Sequence, residues 1–339
     1  MYSQAFEQRL HTATGVLDNK TKPPGSLGIL EAVAAQLSAI QHSVSPTPDP
    51  VRAIIFAGDH GIAREGVSAY PQEVTRQMLL NFAAGGAAIN ALCNAHNIAL
   101  EVINTGVIGD PVDGTVNAKI ADGTANMLNK PAMSVAQLEQ ALGAGKEAAQ
   151  RAQHDQVKIL VVGEMGIGNT TSAAAIVAAL CNADGHATAG RGTGLNDQAL
   201  ANKAQIVDKI LATHRTTDAN GVLQCMGGFE IAALTGLMLQ AAETHIAVIV
   251  DGFITTAAAL CAVNINPRVR EQLIFAHQSA EPGHQLALAQ LNATPLLQFN
   301  MRLGEGSGAA LAVPLLRSAC AIINDMATFE DAGVSDKHQ

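Results

Sequence analysis

Apolar residues occur along this chain in short unbroken runs, and each run ends at a glycine, an acid or another polar residue. Unbroken runs, as opposed to alternating ones, are typical of parallel strands that are buried on both faces. The predicted strands are 53–57, 99–103, 157–162, 246–250 and 273–276. Alanine-rich stretches of helical character separate them, at 133–152, 171–180, 229–242 and 255–263. This alternation predicts an α/β fold, a doubly wound parallel sheet.

Both ends of the chain depart from that pattern. Residues 22–28 contain two prolines and predict a turn, and apolar positions at helical spacing then predict a helix over 30–40 that ends near His42. Three prolines in 43–50 predict a linker. The apolar stretch 308–327 predicts a helix with no strand after it. We therefore predict a small helical domain from 1–46 and 309–339, and an α/β domain from 47–308.

Composition narrows the classes of protein that remain. The chain has 339 residues, 14% charged and 48% hydrophobic, which predicts a folded protein and disfavours disorder. A net charge of -9, without a basic run, disfavours nucleic-acid binding. The first residues lack an apolar signal region, and the apolar runs are shorter than a membrane span, so we expect a cytoplasmic protein without a membrane partner. Five scattered cysteines predict neither a zinc site nor a disulfide framework.

A glycine-rich turn between a predicted strand and a helix is the first candidate site. It reads GEMGIGNTT over 163–171, and a helix N-terminus after such a turn can bind an anion. The glycine spacing is that of a P-loop, but Asn169 stands in place of the lysine that contacts nucleotide phosphates. This difference favours a phosphate monoester over a nucleoside triphosphate. A tight turn that binds no ligand is the alternative.

A second glycine-rich segment, GRGTGLND over 190–197, is followed by Lys203. Small residues allow backbone amides to approach a phosphate, and a lysine supplies a point charge. The alternative is that Lys203 is a solvated residue on a helix.

A third segment, RLGEGSG over 302–308, places Glu305 between two glycines in an apolar context. Glycines leave the carboxylate open to a ligand, and apolar surroundings raise a carboxyl pKa toward neutrality, which suits a general base. An acid that stabilises a helix dipole is the alternative.

Two further motifs are weaker candidates. Asp59 and His60 are too few for a metal site, so we expect a hydrogen-bonded structural pair. Tyr70 is one of two tyrosines in a chain without tryptophan. It is a candidate for stacking against an aromatic ligand, or it covers the edge of the core.

Taken together, these motifs resemble the family of nicotinate-nucleotide:5,6-dimethylbenzimidazole phosphoribosyltransferases. The resemblance covers nearly the whole chain and rests on the following segments: KPPGSLG (22–28), GDHG (58–61), GV (66–67), GEMGIGNTT (163–171), NK (202–203), GGF (227–229), DGF (251–253), SAE (279–281) and RLGEGSG (302–308).

The resemblance implies transfer of a 5-phosphoribosyl group from nicotinate mononucleotide to a benzimidazole nitrogen. It also implies a Rossmann-like sheet with a small helical domain, a homodimer, and no metal or other cofactor. By resemblance, Glu305 is the catalytic base. Phosphate and ribose would be held by Glu164, Gly166, Asn169, Thr170, Gly192 and Lys203. The base pocket would be lined by Tyr70, Met78, Met165 and Leu303.

Other functions stay open at this point. The same chemistry on adenine or a phenol would differ only in the acceptor, and Tyr70 and Met78 are the positions that bear on this choice. A non-catalytic nucleotide-binding protein would bind nicotinate mononucleotide without releasing nicotinate. A dinucleotide-dependent oxidoreductase would share the sheet but should carry the G-x-G-x-x-G fingerprint, which the candidate strand lacks.

Overall fold

A six-stranded parallel sheet forms the centre of the protein. The computed structural model describes residues 2–192 and 194–335. The strands are β1 (Val51–Gly58), β2 (Ala99–Gly106), β3 (Val116–Asn117), β4 (Ile159–Met165), β5 (Ala247–Val250) and β6 (Leu273–Phe275). Five of them match the predicted apolar runs. The short β3 was not predicted, because two exposed residues leave no apolar run.

The order of the strands is β3-β2-β1-β4-β5-β6, and each neighbouring pair is parallel. The chain moves outward from β1 in one direction and then returns to continue from β4 in the other. In such sheets, ligands bind beyond the carboxyl ends of the strands, near the point where the order reverses. The predicted Rossmann-like, doubly wound fold is confirmed.

Helices cover both faces of the sheet. In chain order they are α1 (Gln4–Asp18), α2 (Ile29–Gln41), α3 (Val74–Ala83), α4 (Ala88–Ala95), α5 (Val135–His154), α6 (Asn169–Cys181), α7 (Gly185–Thr188), α8 (Asp197–His214), α9 (Ala219–Met226), α10 (Phe229–Thr244), α11 (Phe253–Ile265), α12 (Pro282–Gln290), α13 (Ser307–Asp325) and α14 (Phe329–Ala332), with 3-10 helices at Gly61–Glu65 and Pro267–Gln272. All of the helices predicted above are present. Residues 43–50 form neither helix nor strand, as the prolines predicted.

Alternate residues of the five longer strands enter two separate hydrophobic cores. On one face, side chains such as Ile54 and Val162 pack with α5, α6, α10 and α11. On the other face, Ile55 and Val161 pack with α1, α2, α3, α4 and α13. Because both faces of the strands are covered, polar positions do not alternate with apolar ones, which explains the unbroken runs in the sequence.

Helices α5 and α10 pack unusually closely because glycines lie at their contact. A Cβ atom built on Gly145 would lie 1.8 Å from the carbonyl oxygen of Ala233, and one on Gly236 would lie 2.1 Å from that of Leu142. Only residues without a side chain allow the two backbones this approach. Gly143, on another face of α5, has no atom within 4 Å of such a Cβ.

Helices from the two chain ends pack together: α2 contacts both α1 and α13. They share one hydrophobic core with the sheet, through residues such as Leu37, Leu316 and Ile55. The division into a helical domain (1–46 and 309–339) and an α/β domain (47–308) therefore stays a prediction. Residues 336–339 of that division lie outside the described residues.

Two helical stretches, 74–95 and Ser307–Asp325, are long and apolar enough to cross a membrane by length and composition alone. The first is divided into α3 and α4 at residues 84–87. The second is α13, whose apolar side chains belong to the core between the sheet and α2.

Candidate active site

A cavity opens above the carboxyl ends of β4, β5 and β6. This is the position at which an open parallel sheet binds its ligands. Five segments contribute to its lining: the β4–α6 turn, the glycine segment before α8, the start of α11, the segment after β6, and the turn before α13. The lining residues are Glu164, Met165, Gly166, Ile167, Asn169, Thr170, Gly192, Gly252, Phe253, Ile254, His277, Ser279, Glu281, Arg302, Leu303 and Gly304.

The β4–α6 turn brings the first glycine cluster to the floor of the cavity. A Cβ atom on Gly166 would lie 2.5 Å from the carbonyl oxygen of Gly58 on β1, so only glycine fits between the strands. The turn is also fixed to α3, because the backbone N–H of Ile167 donates to the Thr75 hydroxyl at 3.1 Å. Gly168 then adopts a φ of +96° and begins α6 without a side-chain cap.

Two helix N-termini therefore face the cavity without a side-chain cap. These are α6, preceded by Gly168, and α11, preceded by Gly252. The partial positive charge at a helix N-terminus, together with backbone N–H groups that lack partners within the helix, attracts phosphate and carboxylate groups. The arrangement fits a ligand that carries a phosphate monoester.

The segment 304–306 forms a turn that passes directly over β4. Gly304, Glu305 and Gly306 all have positive φ values, +86°, +62° and +78°. Glu305 is thus a non-glycine residue held in a left-handed conformation, which side chains rarely adopt. This turn can lie so close to β4 because residue 163 of the strand is a glycine: a Cβ atom there would lie 2.4 Å from the backbone nitrogen of Gly306.

The carboxyl group of Glu305 is buried in this turn, with 6% of the residue exposed. Burial raises its pKa, and its Oε2 has no hydrogen-bond partner among the described residues. Asp251, at the end of β5, holds the same turn in place, because its Oδ1 accepts from the N–H of Ala309 at 2.9 Å. An acidic group with a raised pKa and an oxygen free of hydrogen bonds can accept a proton near neutral pH.

Glu164, at the end of β4, lies beside this turn. A Cβ atom on Gly304 would lie 2.6 Å from its Oε1, and its Oε2 accepts a hydrogen bond from the Asn169 side chain. Burial, with smaller contributions from the nearby carboxylates of Asp251, Glu230 and Glu305, raises the pKa of Glu164 to about 8. At neutral pH Glu164 therefore keeps its proton and is a poorer proton acceptor than an ionised carboxylate.

Lys203 is buried behind the second glycine segment, so the alternative of a solvated lysine on α8 is wrong. Its Nζ donates to the Thr170 hydroxyl at 2.7 Å and to the Gly190 carbonyl at 3.2 Å. A Cβ atom on Gly192 would lie 3.4 Å from the same Nζ. The ammonium group thus stands behind two residues that line the cavity. Thr193, within the same segment, lies outside the described residues.

Asp59 and His60 do not form the expected pair with each other. Nε2 of His60 lies 2.6 Å from Oε1 of Glu230, and its Nδ1 lies 3.2 Å from the Ser172 hydroxyl. Asp59 instead accepts from the backbone N–H of Ile108 at 2.8 Å. The sequence could not indicate Glu230, because 170 residues separate it from His60 along the chain.

The four residues predicted for the base pocket do not all line the cavity. Met165 and Leu303 do, and Leu303 is largely exposed. Met78, on α3, is partly buried and packs against the same hydrophobic core as Met165. Tyr70 lies in the segment before α3 with 54% of its surface exposed, so it does not cover the core edge. Its role toward an acceptor stays a prediction.

Among the residues predicted for phosphate and ribose, the structure places five around one cavity: Glu164, Gly166, Asn169, Thr170 and Gly192. Glu305 and Lys203 lie directly behind the lining. Four further ionisable residues at or beside this cavity were not predicted as site residues: Asp251, His277, Glu281 and Arg302. Asp251 and His277 directly follow predicted strands, and this position was the signal that could have identified them.

Among residues 2–192 and 194–335, no group of three or more His, Cys, Asp or Glu side chains could hold a metal ion. All five cysteines are unpaired. The cavity and the residues directly behind it offer carboxyl groups, backbone N–H groups and the side chains of Arg302 and Lys203.

The model of one protein family, DBI_PRT, described as Phosphoribosyltransferase, matches residues 3–334. A nicotinate-nucleotide–dimethylbenzimidazole phosphoribosyltransferase of Pseudomonas putida is 50% identical over 321 residues, covering 94% of this chain and 92% of the relative. The protein of that name from Xanthomonas axonopodis pv. citri is 52% identical over 321 residues, covering 93% and 92%. The crystal structure of CobT from Thermus thermophilus superposes with a TM-score of 0.93 at 45% identity, covering 97% of this chain and 99% of that one.

Proposed function

Because the chain belongs to the DBI_PRT family of phosphoribosyltransferases, we propose that it transfers the 5-phosphoribosyl group of nicotinate mononucleotide to 5,6-dimethylbenzimidazole. The products are α-ribazole 5'-phosphate and nicotinate. The observation that carries this proposal is the position of the Glu305 turn across β4, beside the uncapped N-terminus of α6. A buried proton acceptor thereby lies directly behind the lining of the cavity that holds the anion subsite.

In this proposal, the phosphate of the mononucleotide binds between the α6 N-terminus, Gly192 and Lys203. The helix N-terminus and the lysine ammonium supply positive charge, and glycine leaves room for the phosphate oxygens. Two substrates fixed in one cavity react as if they were parts of one molecule, which removes much of the entropic barrier.

The chemical step then needs one proton acceptor. One nitrogen of the benzimidazole attacks the anomeric carbon, and the bond from that carbon to the nicotinate nitrogen breaks, its electron pair returning to the ring. The proton on the second benzimidazole nitrogen passes to the Glu305 carboxylate. Attack from the face opposite nicotinate inverts the anomeric carbon and gives an α-riboside without a covalent enzyme intermediate.

Glu305 is favoured over Glu164 as the base for an electrostatic reason. The pKa of Glu164 is raised to about 8. Glu164 is therefore protonated at neutral pH and can donate a hydrogen bond to the ribose or phosphate. Two carboxyl groups in one site with different environments commonly divide the acid and base roles in this way.

A chromatographic assay tests the function. Purified protein is incubated with nicotinate mononucleotide and with 5,6-dimethylbenzimidazole, adenine or phenol in parallel. We expect equimolar nicotinate and α-ribazole 5'-phosphate with the benzimidazole. Products only with adenine or phenol would assign a different acceptor, whereas binding of the mononucleotide without release of nicotinate would indicate a non-catalytic binding protein.

The proposal extends to assembly and location. We propose a homodimer in the cytoplasm that acts without a metal ion or other cofactor. Large exposed apolar side chains support self-association, among them Phe299, Leu303 and Tyr70, which are more than half exposed. Light scattering would give twice the monomer mass of 34.9 kDa for a dimer. Activity that survives treatment with a chelator supports the absence of a metal.

A further inference from the structure

One carboxylate beside the cavity has no part in the proposed chemistry. Glu281 precedes α12, and its Oε1 accepts from the backbone N–H of Gly192 at 2.9 Å. The residue is buried, with 6% exposed, and it lines the cavity. Its second oxygen, Oε2, is buried without a hydrogen-bond partner among the described residues. A buried anionic oxygen in this state needs a nearby positive charge to offset its desolvation.

The glycine segment is shaped around this carboxylate. A Cβ atom on Gly190 would lie 1.9 Å from Oε2 of Glu281, so residue 190 must lack a side chain for the carboxylate to occupy its place. On the same residue, the carbonyl oxygen accepts from Nζ of Lys203 at 3.2 Å. Gly190 thus lies between the carboxylate of Glu281 and the ammonium of Lys203.

Lys203 is in an environment that opposes its charge. Its two hydrogen-bond acceptors, the Thr170 hydroxyl from α6 and the Gly190 carbonyl from the loop, are neutral. Burial lowers its pKa to about 8, and the charge of Glu281 acts in the opposite direction. Nη1 of Arg302 lies 3.5 Å from the carbonyl oxygen of Gly192. Among the described residues, Glu281 is the acidic group whose charge raises the pKa of Lys203.

We infer that Glu281 is a positioning residue of the phosphate subsite, which fixes the Gly190–Gly192 segment and supplies the counter-charge that keeps Lys203 an ammonium ion. The inference rests on the proposed function, since it takes the group in front of Lys203 to be the substrate phosphate. Its consequence is a pH dependence of binding. Lys203 is charged below its pKa, so affinity for the mononucleotide falls as pH rises through that value.

The test compares Glu281→Gln with the wild-type protein by calorimetric titration of nicotinate mononucleotide between about pH 6 and pH 9. Glutamine keeps an oxygen for the Gly192 N–H but removes the charge. We expect the loss of affinity at alkaline pH to begin about one pH unit or more lower in Glu281→Gln, because an opposite charge nearby raises a lysine pKa by this amount. The phosphate of the ligand titrates near pH 6, but it does so equally with every variant.

Two further variants make the result specific. Glu271→Gln is the matched control, because Glu271 is also 6% exposed but binds the N–H of Ser3 far from the cavity; its profile should superimpose on that of the wild type. Lys203→Arg replaces the ammonium with a guanidinium that does not titrate in this range, so the alkaline loss of affinity should disappear. Combining Lys203→Arg with Glu281→Gln should then show no shift.

Three outcomes would overturn the inference. An equal loss of affinity at every pH would mean that Glu281 only shapes the loop. A gain in affinity at every pH would mean that the carboxylate competes with the phosphate. If Glu281→Gln does not fold, Lys203→Arg alone decides: an affinity for the mononucleotide that still falls at alkaline pH in this variant would also overturn the inference. Failure of the wild-type protein to bind the mononucleotide would instead reject the proposed function.

Discussion

Replacement of Glu305 by glutamine is the sharpest test of the proposed mechanism. Glutamine has nearly the same shape but cannot accept a proton from the benzimidazole nitrogen. A positioned general base contributes about 10² to 10⁴ in rate, which corresponds to about 2.7 to 5.4 kcal/mol of activation free energy. We expect kcat to fall by that factor. Affinity for nicotinate mononucleotide should hardly change, because the phosphate subsite lies on other segments.

The pH dependence of the wild-type enzyme supplies a second signature. Burial raises the pKa of Glu305, so kcat/KM should rise with pH as this group loses its proton, at a pH above the value of about 4.3 for a free glutamate. It should fall again as Lys203, with a pKa of about 8, loses its charge. In Glu305→Gln the acid limb should be absent while the alkaline limb remains.

The variant should fold. Oε2 of Glu305 has no hydrogen-bond partner in the described part of the chain, so a buried amide there costs about 1 to 3 kcal/mol. The change also removes the negative charge of Glu305, which raises the pKa of Glu164 and of Asp251. Loss of this repulsion between carboxylates stabilises the folded protein. Circular dichroism and urea unfolding check the fold.

Steady-state kinetics of Glu305→Gln beside Glu271→Gln decides the question, because both residues are 6% exposed and only the first lies at the cavity. Near-normal turnover of Glu305→Gln at pH 7 would refute the assignment of the base. Glu164→Gln would then be the next variant to assay.

Four other changes have defined outcomes. Lys203→Ala should weaken nicotinate mononucleotide by about 1.5 to 3 kcal/mol without changing affinity for the acceptor, by calorimetry; equal losses for both would indicate a damaged fold. Tyr70→Ala should change the ratio of kcat/KM among acceptors, by about 0.5 to 1.5 kcal/mol; a uniform effect would show that the ring does not contact the base. The folded chain holds a proton on Glu164 that the unfolded chain releases, so the free energy of unfolding should fall by up to about 2 kcal/mol between about pH 6.5 and the Glu164 pKa of about 8. Urea unfolding of Glu164→Gln at a series of pH values should lack this decrease. A decrease as large as that of the wild type would contradict the raised pKa. Gly145→Ala should destabilise the protein by about 1 to 3 kcal/mol, whereas Gly143→Ala on the same helix should stabilise it by up to about 1 kcal/mol. Equal changes of the two variants in thermal melts would contradict the close packing of α5 on α10.

The sequence determined the fold class, because strands that are buried on both faces of a parallel sheet appear in the chain as unbroken apolar runs. The runs that became β1, β4 and β5 are unbroken since Ile54 and Ile55, like Val161 and Val162, enter opposite cores. Helix ends followed from local chemistry as well: α2 stops before His42, which takes a left-handed conformation. The two-residue β3 left no such trace, because pairing with β2 and not apolar character defines it.

The sequence also indicated the three glycine segments around the cavity, because glycine is required where a backbone turns tightly or approaches a ligand. It could not say why each glycine is needed. Gly163 admits the turn that carries Glu305, and Gly190 admits the carboxylate of Glu281, and both reasons are contacts between segments far apart in the chain.

Only the tertiary structure decided which charges face one another. The partner of His60 is Glu230 and not the adjacent Asp59, and the charge of Glu281, from another segment, acts on the buried Lys203. A pattern along the chain records how each element is buried, since burial acts on every residue of a strand or helix. It does not record pairs of polar side chains, since their energies depend on distances that exist only after the sheet has brought the ends of its strands together.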